Sequence, residues 1–192
     1  MDRVEEGRLI QRAQEGDSDA FATLYREHVQ AIFRYVYHRV GDTHLAEDLT
    51  GDVFTRALEG LPKYRDRGRP LLAWLYRIAH ARVVDHYRRV KRRPQESQLE
   101  PELVAVSTDM DSRIVQQQAA QALKTAIADL TEDQQQVVIL RFVEGYPIAM
   151  IADIMGKKPN AIKALQHRAL RSLAARLERS GFDIDAILAG LS

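Results

Sequence analysis
The stretch RRPQESQLEPELVAVSTDMDS, residues 92–112, limits most strongly how this chain can fold. It holds two prolines, several Gln, Ser and Glu residues, and no apolar stripe at helical spacing, so it reads as a linker. Domains cluster near about 100 to 150 residues, so a 192-residue chain cut at this point divides into two small units. The expected organisation is a first domain over 1–93, a linker over 94–112, a second domain over 113–180 and a short amphipathic helical tail over 181–192.

Both flanks carry helical periodicity. Asp17, Ser18 and Asp19 form an N-cap cluster, followed by Phe21, Leu24, Tyr25, Ile32 and Val36 at helical spacing. Gly41-Asp42-Thr43 stops that helix and caps the next, whose stripe is Leu45, Leu49, Val53 and Ala57. Residues 60–70, punctuated by Gly60, Pro62, Gly68 and Pro70, read as a loop. Leu71, Leu72, Leu75, Ile78, Ala79 and Val83 then mark a helix running toward Val90, and Ile114, Ala119, Ala122, Leu123 and Ile127 mark one over about 113–129. Thr131 and Gln134 have capping-box spacing, opening a helix that ends near Gly145. No segment alternates with period two, so the expected fold class is all-α.

The strongest local signal is IAMIADIMG followed by KKPNAIK. A short helix from Pro147 to Met155, a turn at Gly156 and a longer basic helix from Pro159 to about Arg179 make a helix-turn-helix in the second domain. With Ile162, Leu165, Ala169 and Leu173 facing inward, Asn160, Lys163, Gln166, His167 and Arg171 project outward, where they suit base edges and phosphates.

Net charge is only +1, but it is strongly segregated. Residues 63–93 hold eleven bases against two acids, 94–111 hold five acids and no base, and 157–179 hold seven bases against one acid. The first basic block interleaves Tyr64, Trp74, Tyr76 and Tyr87 with arginines, a pattern that can stack unpaired bases while holding the backbone. An acidic face, Glu47, Asp48 and Asp52, lies beside Val53 and Phe54 on the preceding helix, and suits a basic partner with apolar anchoring.

The absence of cysteine excludes disulfides, thiolate metal sites and a Cys nucleophile. The six histidines form no HExxH pair, and there is no phosphate loop or GxSxG elbow, so no enzyme, cofactor or metal site is expected. There is no secretory h-region and no run long enough to insert in a membrane, which points to the cytoplasm. A dimeric helix-turn-helix repressor or activator and a regulator that only binds polymerase are the competing readings.

The segments DAFATLYREHVQAIFRYVYHRVGD, HLAEDLTGDVFTRAL, LLAWLYRIAHARVVDHYRR and LTEDQQQVVILRFVEGYPIAMIADIMGKKPNAIKALQHRALRSL, in that order, resemble the extracytoplasmic-function group of sigma-70 factors. The resemblance implies that Glu47, Asp48, Asp52, Val53 and Phe54 dock on the beta-prime clamp helices of core RNA polymerase. It implies that Lys63, Tyr64, Arg65, Arg67, Arg69, Trp74, Arg77, His80 and Arg88 capture the melted −10 promoter element. It further implies that Lys158, Asn160, Lys163, Gln166, His167, Arg168 and Arg171 read the −35 duplex, that the second domain meets the beta flap, and that an anti-sigma factor holds the protein inactive. The linker resembles the segment threaded toward the RNA exit path. Many members have Ser-Arg-Leu where this chain has Ala164-Leu165-Gln166, so base preference does not transfer.

Overall fold
The computed structural model describes residues 1–66, 68–92 and 120–179. The linker over 94–112, the expected start of the helix at 113 and the tail over 181–192 lie outside the described residues. Within them every regular element is helical, and no helix is long and apolar enough to cross a membrane.

The first half is built from α1 (Arg3–Gln14), α2 (Ser18–Val40), α3 (Thr43–Gly60), a 3₁₀ turn (Leu61–Lys63) and α4 (Leu71–Arg92). Asp17 caps α2 by accepting the Asp19 and Ala20 amides. Gly41 ends α2 with φ of 73°, a left-handed conformation open to glycine, and the Asp42 carboxylate then accepts the Leu45 amide 2.7 Å away to start α3. Helix α1 is an addition to the expected fold. Its apolar stripe is only Leu9 and Ile10, too short to register as a period, but Asp2 caps it and Glu5 and Glu6 sit at the positive end of its dipole. Residues 60–63 are also more ordered than the expected loop, because α3 continues through Gly60 into the 3₁₀ turn.

The second half comprises α5 (residues 120–128), α6 (Glu132–Val138), a π turn (Ile139–Val143), α7 (Ile148–Met155) and α8 (Pro159–Arg179). The Thr131 capping box forms with both of its hydrogen bonds. Gly156, at φ 63°, closes α7, and the Gly156 and Lys157 amides both reach the Ala152 carbonyl. Helix α8 packs on α6 and α7, placing Ile162, Leu165, Ala169 and Leu173 in the core as the spacing predicts.

The halves are not independent. Helix α4 packs on α2, α3 and α7, and the buried side chains of both halves form one continuous cluster. The Tyr76 hydroxyl donates to the Tyr146 hydroxyl at 3.3 Å, with the rings edge to face. The Arg34 guanidinium grips Glu144 through both carboxylate oxygens, at 3.1 and 2.7 Å, and the Glu144 side chain is fully buried. The π turn makes this pair possible. By bonding the Glu144 amide to the Ile139 carbonyl at 3.0 Å, it shifts the helical register and turns Glu144 inward while Phe142 and Val143 stay exposed.

Ile151 is completely buried in α7, beside the α4 junction. Ile151→Ala is expected to cost about 2–5 kcal/mol through lost transfer energy and a residual cavity. Because the core is continuous, urea unfolding followed by Trp74 fluorescence in the first half should shift together with the far-UV signal. A Trp74 transition that does not move would contradict the shared core.

Candidate polymerase and nucleic-acid interfaces
Advancing 100° per residue along α3 places Glu47, Asp48, Asp52 and Leu58 in one exposed arc and Val53 and Ala57 in the opposite one, with Phe54 at the margin, about 20° from Glu47. Val53 is fully buried and Phe54 packs edge to face on Tyr25 at 4.7 Å. These two expected anchors are therefore core residues: Val53 faces away from the acids, and Phe54, at the edge of the acidic arc, is drawn in by its packing on Tyr25. The large apolar side chain that the acidic face does present is Leu58, half exposed. Asp52 also accepts from Arg82 at 2.7 Å, tying this face to α4.

The first basic block meets the solvent in a groove between α3 and α4 lined by Arg56, Trp74, Arg77, Ile78, Arg82 and Asp85. Guanidinium groups around an aromatic and aliphatic floor can hold a phosphate and stack an unpaired base together. Trp74 is half-buried because its ring lies against Tyr64, with centroids 4.7 Å apart, and against Gly60, where an added Cβ would sit only 3.1 Å from the indole. Burial, reinforced by the nearby Asp66 charge, raises the Tyr64 pKa above its ordinary value, so the phenol is a neutral stacking partner. Arg77 lines this groove, and Lys63, Arg65, Arg77 and Arg88 are all exposed. Arg67 lies outside the described residues.

Two residues of the expected −10 set face elsewhere. His80 sits at the junction of the halves, its Nδ1 3.3 Å from the Tyr35 hydroxyl and 3.5 Å from Arg39. Burial, then the Arg39 charge, lowers its pKa, so it is a neutral imidazole at neutral pH and not a phosphate-binding cation. Arg69 is paired with Asp153 of α7 at 3.2 Å.

On α8 the outer face is open. Lys158, Asn160, Lys163, His167, Arg168 and Arg171 are all exposed, while Gln166 is half-buried at the margin of the core stripe. This face is basic and spans three helical turns, a fit to the major groove of duplex DNA.

Residues 24–93 match the Sigma-70 region 2 family and residues 120–173 match the Sigma-70, region 4 family. The chain is 38% identical over 170 residues to the ECF RNA polymerase sigma factor BldN of Streptomyces coelicolor, an alignment covering 88% of this chain and 64% of that one. It is 32% identical over 182 residues to the ECF RNA polymerase sigma factor ShbA of Streptomyces griseus, covering 90% of this chain and 95% of that one. The chain belongs to the ECF RNA polymerase sigma factors.

The sigma factor also shares its fold with RpoE of Bartonella quintana, solved in complex with the anti-sigma factor NepR. That match has a TM-score of 0.59 and 22% identity, covering 82% of this chain and 96% of that one. In the sigma factor the region 2 match contains the acidic face and the groove, and the region 4 match ends within α8, after Arg171. Sequence reasoning missed Arg56 and Leu58, although the helical angles that place Asp52 outward place these two outward as well.

Trp74 is the only tryptophan, so its emission reports this groove alone. Tyr64→Ala should expose the indole, moving its emission to longer wavelength and increasing quenching by acrylamide. Unchanged emission and quenching would contradict the Tyr64–Trp74 pairing.

Proposed function
We propose that this sigma factor binds core RNA polymerase through the acidic face of α3, captures melted −10 DNA in the groove beside α4, and reads −35 duplex with the outer face of α8. The observation that carries this reading is the separation of three charged faces on a chain whose net charge is +1: one acidic on α3, one basic and aromatic on α4, one basic on α8. An ordinary helix-turn-helix repressor would need only the last of these. Exposed Phe142 and Val143 supply an apolar contact on the second half for the beta flap. Leu58 supplies the apolar anchor beside Glu47, Asp48 and Asp52.

The reaction belongs to polymerase. The factor is not an enzyme: it supplies recognition, and it works in the cytoplasm, where polymerase and the chromosome are. Capture of −10 DNA requires the two halves to part, since Arg69 is engaged by Asp153 and His80 lies in the junction. An anti-sigma factor that favours the closed arrangement would therefore hold the factor off the −10 element. The pairing of RpoE with NepR in a related fold supports such a partner.

Run-off transcription with purified core polymerase tests the reading. The factor should yield promoter-dependent product that core alone does not, and no product across a library of genomic fragments would overturn it. Asp48→Arg should weaken core binding without changing the circular dichroism spectrum. Lys163→Ala and Arg171→Ala should each lower the salt dependence of upstream-duplex binding, by about 0.9 log units per log salt for each phosphate that the side chain neutralises.

A further inference from the structure
Helix α1 lies upstream of the segment that matches region 2, which begins at residue 24, yet it holds the loop between α3 and α4 at both ends. At the near end, Gln14 Nε2 donates to the carbonyls of Leu61 and Tyr64, at 2.9 and 2.8 Å. At the far end, Arg3 donates to the Arg69 carbonyl at 2.8 Å and to Asp66 Oδ1 at 3.1 Å. Glu6, buried, accepts from Arg3 at 2.7 Å and from the Leu71 amide at 3.3 Å, and His28 Nε2 stands 3.6 Å from its other oxygen. Burial opposes ionisation of Glu6, but His28, the Leu71 amide and Arg3 outweigh it and hold its carboxyl below the usual range.

Arg3 and Gln14 are eleven positions apart on one helix, about 16 Å at the helical rise. Four main-chain groups of residues 61–71 are thus bonded to a single rigid rod. Between these ties Lys63 and Arg65 stay exposed, and the Tyr64 ring is laid on Trp74. Neither Gln14 nor Arg3 lines the groove. Their bonds fix the backbone that carries exposed Lys63 and Arg65 and the Tyr64 ring that packs on the groove's Trp74, before any DNA arrives.

The geometry points to Gln14 and Arg3 as positioning residues that set −10 selectivity by holding residues 61–66 and 68–70 in their DNA-capturing form. This rests on the reading of that loop as the −10 capture site, and deepens it by assigning a role to α1. Gln14 is only half-buried and Arg3 is exposed, so neither substitution removes a core side chain. The two bonds that Gln14 supplies correspond to about a tenfold effect.

The experiment is transcription by core polymerase and the full-length factor from barcoded linear templates randomised across the upstream promoter region, with sequencing of the transcribed fraction. Gln14→Ala, Gln14→Glu and Arg3→Ala should each flatten sequence preference in the −10 window, about tenfold for Gln14→Ala. They should leave the −35 window and core affinity unchanged. Gln14→Glu removes the donor while keeping the shape, so its loss separates hydrogen bonding from packing. Gln11→Ala, on the same helix but bonded to Glu15 and to none of the described loop residues, should behave as wild type. A −10 profile unchanged in both Gln14→Ala and Arg3→Ala overturns the proposal, as does a loss that affects both windows equally and follows melting temperature. If Lys63→Ala with Arg65→Ala also leaves the −10 profile unchanged, the capture-site reading itself fails, and the proposal with it. If those loop variants flatten the profile while the α1 variants do not, only the positioning role falls.

Discussion
Tyr76 joins the two halves of this molecule. Its side chain is fully buried, its ring stands edge-on to Tyr35 at 5.2 Å and to Tyr146 at 5.8 Å, and its hydroxyl reaches Tyr146. Aromatic rings in this arrangement contribute about 0.5–1.5 kcal/mol beyond the area they bury. Burial drives the Tyr76 pKa far above that of an ordinary phenol, so the hydroxyl stays a donor at any physiological pH. With Tyr76 seated, α4 has one face committed to α2, α3 and α7, and its arginines are left to the solvent side. Arg82 is the exception: it is buried and reaches across to Asp52, so the acidic face and the basic helix brace one another.

That arrangement gives a chain with almost no net charge separate acidic and basic surfaces. The charges are sorted by helix face, with Arg82 and Asp52 the pair that joins the α4 and α3 faces. Where opposite charges of the two halves do meet, at Arg34 with Glu144 and Arg69 with Asp153, they close the molecule. The first pair has a fully buried carboxylate and resists salt, whereas the second is exposed and screened at physiological ionic strength.

Much of this is legible in the sequence, for identifiable reasons. Helices α2, α4 and α8 are long, so their stripes repeat enough times to be read, and the caps at Asp17, Asp42 and Thr131 are side-chain chemistry with fixed spacing. Helix α1 is hidden because its buried face is two apolar residues and a glutamate whose burial depends on partners 22 and 65 positions away, His28 and Leu71. The π turn is hidden because its cause is tertiary: nothing local in Ile139–Val143 announces a five-residue hydrogen bond, but the approach of Arg34 rewards one. Adjacency to the acids in the sequence suggests a partner surface for Val53 and Phe54, although a helix turns Val53 100° away from Asp52 and Phe54 is buried by a tertiary contact with Tyr25. His80 reads as a cation among arginines only while the second half is not packed over it.

The central structural claim is that the two domains of the free protein pack on one another about Tyr76. Pulsed electron-electron distance measurement on the free, full-length factor addresses it directly, and the absence of native cysteine lets two labels be introduced cleanly. With labels at Glu59→Cys on α3 and Ala175→Cys on α8, both exposed, the account predicts a single narrow distance distribution that broadens when Tyr76→Ala is added. A broad distribution in the protein with Tyr76 intact, insensitive to that substitution, would contradict it.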